Sequence, residues 1–183
     1  MKTIKKSISV LLALTLLLAL SSCGVKEAEN AVASMLDTVK SGEISEIANY
    51  VYVSELMDDA EGIGAAMLSK VLGTVEYKIL SSKKLDDLSS TVETYISMAD
   101  LESFLPAILD VAAHHAEDTP EITDEELSKY LLDLFDEAIE SGSFERVSST
   151  FNIDVMTLED GRLLPQASAE LIDVLFGKFL IAE

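Results

Sequence analysis

Apolar positions recur along this chain with two periods, and the switch between them separates helices from strands. Ala28, Ala31, Val32, Met35, Leu36 and Val39 follow one another at three- and four-residue spacing, which places them on one face of a helix. Lys40 and then Gly42 supply its stop. Residues 43–52 read as a short second helix and turn. Ser54 can cap a third, whose stripe is Leu56, Met57, Ala60, Ile63, Met67, Leu68 and Val71, with Gly73 at its end.

The period then drops to two. Val75, Tyr77 and Ile79 alternate with Glu76 and Lys78, so Thr74 to Ser81 is expected as a strand with one buried face. A polar loop, SSKKLDDLSS, leads to a second strand carrying Val92, Thr94, Ile96 and Met98. Asp100 can cap a helix over residues 101–115, with Phe104, Leu105, Ile108 and Val111 inward and Pro106 as a kink or an effective start. Residues 116–122 form an acidic linker. Thr123 and Glu126 have capping-box spacing ahead of a stripe of Leu127, Tyr130, Leu131, Leu134, Phe135, Ala138 and Ile139, closed by Gly142. A long strand follows with Val147, Phe151, Ile153 and Val155 on one face. Glu159-Asp160-Gly161 turns it into a short strand that Pro165 ends, and residues 168–176 read as a closing helix.

The first residues follow neither period. Lys2, Lys5 and Lys6 precede the run VLLALTLLLAL (residues 10–20), and no acidic residue occurs before Glu27. The run is shorter than the roughly 20 apolar residues a spanning helix needs, so residues 1–22 are expected to be a signal peptide. Leu20, Ser21, Ser22 and Cys23 then resemble the lipobox of bacterial lipoprotein signals. The resemblance implies that the Cys23 thiol receives a diacylglyceryl group and that Cys23 becomes the N-terminus after cleavage. Residues 23–27 would form a very short tether, and the domain would sit at the outer face of the cell membrane. Cys23 is the only cysteine, so no internal disulfide is available to the fold.

Removal of residues 1–22 takes away three lysines and no acid, leaving 10 basic against 33 acidic residues, a balance of −23. Such a surface repels nucleic acid and anionic lipid head groups, so no nucleic-acid partner is expected. The remaining length suits one domain with its own core.

Helices, a hairpin, two more helices, a second hairpin and a closing helix give an α+β order. The segment FNIDVMTLEDGRLLP, followed by ASAELIDVLFG, resembles the C-terminal half of small Gram-positive lipoproteins with an NTF2-like (cystatin-like cone) fold, a family of unknown function. The helix ending Lys40-Ser41-Gly42-Glu43 is similar to their first helix, and the likeness spans about residues 28–177. It implies a curved antiparallel sheet packed on N-terminal helices, in a single domain over 28–183. A two-helix insertion at about 100–142, between strands two and three, would match one branch of these families. Where such proteins carry Trp soon after Asp-Gly-Lys, this chain reads Asp160-Gly161-Arg162-Leu163.

The candidate chemistry is sparse. His114 and His115 are adjacent and point about 100° apart on a helix. Asp110, His114 and Asp118 share a face at four-residue spacing, yet a zinc site needs three or four converging ligands and no Cys or third His joins them. The acidic run from Glu117 to Glu126 lacks the spacing of a calcium loop, and Asp124 and Glu125 suit a helix N-terminus. Gly62 and Gly64 open like a dinucleotide fingerprint but sit inside a helical stripe, with Met67 where its third glycine belongs. No metal, no other cofactor and no catalytic residue is therefore expected. The expected function is a non-catalytic binding or interaction module of the cell envelope, taking a small ligand, a peptide or an envelope protein. The alternative implied by the resemblance is an isomerase- or cyclase-like enzyme inside the cone, with Tyr50, Tyr77, Tyr95 and Asp154 as candidate groups. Of these, Asp154 alternates with Ile153 and Val155 and should face away from the core.

Overall fold

In the computed structural model, which describes residues 24–43, 47, 63–142 and 144–176, the first helix, α1 (residues 24–41), is already formed at Gly24. The order continues with α2 (Ile63–Gly73), β1 (Glu76–Lys84), β2 (Ser89–Ala99), α3 (Leu101–Asp118), α4 (Asp124–Ser141), β3 (Arg146–Thr157), β4 (Leu163–Gln166) and α5 (Ala169–Phe176). The fold is α+β. Its strands form one antiparallel sheet in sequence order, β1-β2-β3-β4.

Strand alternation gives the sheet two unlike faces. Val92, Thr94 and Ile96 of β2 and Phe151, Ile153 and Val155 of β3 are buried on one face, while Asn152, Asp154 and Met156 point outward. The helices cover the buried face. Val32, Met35 and Leu36 of α1, Leu68 and Leu72 of α2, Phe135 of α4 and Leu171 and Phe176 of α5 join it in one core cluster. Each such side chain contributes about 1.5–3 kcal/mol on leaving water.

Polar bonds fix how α1 lies on the sheet. The Tyr77 hydroxyl donates to Asp37 Oδ1 at 2.8 Å and reaches the Ala33 carbonyl at 3.3 Å. The Ser82 hydroxyl donates to the Glu29 carboxylate. Later residues of β1 meet earlier residues of α1, so the two run antiparallel. At its other end, α1 stops at Gly42, in the left-handed region at φ 70° and buried. A β-carbon there would come within 2.8 Å of the Ser69 carbonyl oxygen, so glycine lets α1 close onto α2.

The helical pair α3–α4 leaves and re-enters the sheet at one cross-strand pair. Ala99 and Arg146 are register partners, and the Asp100 N–H donates to the Glu145 carbonyl at 2.8 Å. Arg146 braces this corner: its Nε donates to Ser97 Oγ at 2.9 Å and its Nη2 to the carbonyls of Thr74 and Ser97 at 3.1 and 3.0 Å. The Thr74 hydroxyl meanwhile accepts from the Ala99 N–H at 2.9 Å. On α4, the Thr123–Glu126 capping box and the left-handed Gly142 cap both form as the sequence pattern predicts.

Several local expectations are corrected. Strand β1 runs on through Lys84 into the predicted polar loop, because backbone pairing to β2 needs no apolar side chain; the register slips between Ile79 and Ser81. Helix α3 continues to Asp118 with Pro106 inside it. Its inward face holds Leu105, Ile108 and Ala112, and Val111 is turned to solvent. Pro165 lies within β4 and is buried; β4 pairs only with β3, and an edge strand tolerates the missing N–H. Of the predicted helix over 43–52 only Glu43 and Ile47 are described, Ile47 being helical and buried, and the cap at Ser54 falls outside the described residues.

Candidate functional site

The polar bonds of α1 also decide which end of the sheet its first turn occupies. Glu29 meets Ser82, two residues before the end of β1. Gly24 precedes Glu29 by five residues, which carries the helix start about 7.5 Å further in the same direction at 1.5 Å per residue. That direction leads to the β1–β2 turn, Leu85–Leu88. The start of α1 and this turn share one end of the molecule, and the α3–α4 root lies at the other.

The turn is closed by its own bonds. The N–H groups of Leu85 and Asp86 both donate to the Ser89 carbonyl, at 3.0 and 3.2 Å. The Asp86 carboxylate accepts from the Leu88 N–H at 2.8 Å, and that bond, with one from Ser89, holds its carboxyl below the usual range. The Thr157 N–H donates to the Leu88 carbonyl at 2.7 Å, tying the turn to the end of β3. With the backbone so engaged, Leu85 and Leu88 are left outside, 52% and 65% exposed. They line an open cleft of about 660 Å³ with Asp86, Asp87, Ser89, Asp154, Met156 and Gln166. Apolar side chains and carboxylates both line it.

The outward face of the sheet is polar. Tyr95, 39% exposed, stands between Lys78 and Thr150 in register. In the next row Ser81, Glu93 and Asn152 align, and the Ser81 hydroxyl donates to Glu93 at 2.8 Å.

The residues singled out from the sequence are scattered. Leu20, Ser21, Ser22, Cys23, Tyr50 and Gly62 lie outside the described residues. Asp154 does face outward, onto the cleft. Tyr77 sits on the inner face against α1, and its phenol is pushed up to about 12 by burial, by its bond to Asp37 and by that carboxylate's charge. Tyr77, Tyr95 and Asp154 thus occupy three separate places. His114 bonds back to the Asp110 carbonyl at 2.9 Å, whereas His115 stacks on Tyr130 with ring centres 4.0 Å apart. Among the described residues no three His, Cys, Asp or Glu side chains converge. Leu85 and Leu88 are the two apolar residues of SSKKLDDLSS, too few and too widely set among polar neighbours to form a periodic stripe.

No helix among the described residues is long and apolar enough to cross a membrane. No protein-family model matches the chain, and no curated protein matches it. The solved structure of a candidate lipoprotein (ycdA) from Bacillus subtilis is similar over 71% of this chain, at 15% sequence identity and a TM-score of 0.46. The match covers 43% of that protein's chain, so this chain spans less than half of its length.

Proposed function

We propose that this chain is a lipoprotein of the cell envelope, exported by residues 1–22 and held at the outer face of the membrane by lipid on Cys23. The observation that carries the reading is the run of apolar residues ending in Leu20-Ser21-Ser22-Cys23, followed by a chain that is helical at Gly24. Two acyl chains give a stable anchor where one binds only reversibly. The anchored domain is a non-catalytic binding module with an NTF2-like sheet, and the outward face around Tyr95 is the surface it offers to an envelope protein, peptide or small ligand. The separation of Tyr77, Tyr95 and Asp154 favours this reading over an isomerase-like site inside the sheet, since general acid–base work needs its groups within hydrogen-bond reach of one substrate.

The test is metabolic labelling of the full chain with a radioactive fatty acid in a Gram-positive host. Wild type should carry label and fractionate with membranes, and Cys23→Ala should carry none. Equal labelling of the two would overturn the reading. A photo-crosslinker in place of Tyr95 should trap a partner that one in place of Leu109, on an exposed part of α3, does not.

A further inference from the structure

We infer that the β1–β2 turn is a second membrane contact: Leu85 and Leu88 enter the lipid surface beside the anchor and set the domain upright on the bilayer. This rests on lipid attachment at Cys23, the reading given above. Cys23 and Gly24 are consecutive, so their α-carbons are about 3.8 Å apart. Residues 24–27, expected as a short tether, are helical, so acyl chains on Cys23 would join α1 directly, and the end of the domain that carries Gly24 would lie against the bilayer. That end also presents Leu85 and Leu88 on a turn whose backbone bonds are already made. Two half-exposed leucines project there with no packing partner to cover them, and a lipid surface is the apolar phase within their reach.

Charge is arranged in the same sense. At the turn end, Lys84 pairs with Asp87 at 2.9 Å and Arg162 with Asp160 at 2.6 Å, and Lys83 stands one residue from the leucine turn. The turn end is mildly acidic, with Asp86, Asp87, Asp154, Glu159 and Asp160 against Lys83, Lys84 and Arg162, and the larger acidic excess lies on the helical pair. Lys129 is the only lysine or arginine between Asp100 and Ser141, a stretch rich in Asp and Glu. Those helices are rooted at the far end of β2, ten residues from the turn, or about 33 Å at the rise of an extended strand. An anionic leaflet repels that lobe more strongly than the turn end, which favours the upright pose. The uncovered sheet face around Tyr95 then stands perpendicular to the membrane, open to a partner in the envelope.

The lipidated full chain provides its own labelling chemistry, because Cys23 is its single cysteine and its thiol is consumed by the lipid. An introduced cysteine is then the only free thiol. Leu88→Cys, at the turn, and Glu145→Cys, at the far end, are each labelled with a polarity-sensitive fluorophore. Both are reconstituted into vesicles of phosphatidylethanolamine and phosphatidylglycerol. The position-88 label should shift to the blue, rise in intensity and be quenched by a quencher carried on the lipid, while the position-145 label keeps its aqueous emission. Adding Leu85→Ser to Leu88→Cys should reduce the blue shift without altering the circular dichroism of the domain. If the protein floats with the vesicles but position 88 stays aqueous, or if both positions shift alike, the upright pose is overturned and the anchor stands. If the protein neither floats nor carries fatty acid, the anchor reading fails and this inference fails with it.

Discussion

Thr94 should be replaceable by valine with a gain in stability. Its side chain is fully buried on the inner face of β2, between Ile79 of β1 and Phe151 of β3, and its hydroxyl oxygen has no hydrogen-bond partner among the described residues. A buried polar group without a partner costs about 1–3 kcal/mol in lost hydration. Valine has the same branched shape and a similar strand preference, so little offsets the relief. The methyl that takes the place of the hydroxyl adds up to about 0.8 kcal/mol of apolar burial. Discounting for a denatured chain that is already partly collapsed, the expected gain is about 1–2 kcal/mol. For a domain of this size each 1 kcal/mol moves the melting temperature by about 2–4 °C. Urea unfolding of wild type, Thr94→Val and Thr94→Ser should show a higher midpoint for valine, a lower one for serine and one common slope. Serine keeps the hydroxyl and loses the methyl. A valine variant less stable than wild type would refute the reasoning, because it would mean that the hydroxyl is satisfied in the folded chain.

Two further perturbations probe the helix ends and the α1–β1 contact. Gly42→Ala and Gly142→Ala both place a side chain in the left-handed region, at φ 70° and 66°, which costs about 1–2 kcal/mol each. Only at Gly42 does the new carbon meet a neighbouring backbone, so Gly42→Ala should lose about 1–3 kcal/mol more than Gly142→Ala; equal losses by denaturant titration would count against the α1–α2 closure. Tyr77 binds its proton more tightly folded than unfolded, with the phenol raised from 10.0 to about 12. Its contribution is therefore whole below pH 10 and lost as pH rises from 10 towards 12. The stability advantage of wild type over Tyr77→Phe should shrink over that window, and an advantage that stays constant to pH 12 would show that burial and the Asp37 carboxylate do not hold the proton.

What the sequence made legible depended on whether a pattern had a local cause. The capping box at Thr123 and Glu126, the stop at Gly142 and the turn at Gly161 are set within a few residues, and each is found where the pattern puts it. The core faces of β2 and β3 follow from simple alternation. Val111 fits the helical stripe on paper because four apolar neighbours admit more than one stripe, and only the folded packing selects Ile108 and Ala112 for burial. Lys83 and Lys84 hid the end of β1, since pairing to β2 is a backbone matter that polar side chains do not advertise. The candidate site was least legible. Nothing in Leu85 or Leu88 says that they stay outside; that follows from a four-residue turn and from the direction in which α1 crosses β1. The lipid signal, by contrast, is a motif read by other proteins, and its meaning does not pass through the fold at all.

The root of the helical pair carries a consequence for how such a domain could change. Because Ala99 and Arg146 already face each other across the sheet, β2 and β3 are in register at the point where the chain departs and returns. A short turn could join them, and no strand would have to move. Topologically, residues 100–145 are an excursion. Phe135 makes them more than that, for its ring is fully buried in the main core, and cutting the excursion out would leave a hole the size of an aromatic side chain. The sheet tolerates its removal in connectivity but not in volume. Lengthening or shortening at the outer end, near residues 116–122, meets neither constraint. Variation among proteins built on this plan should therefore collect at that outer end, while the root pair and the residue filling the place of Phe135 stay put.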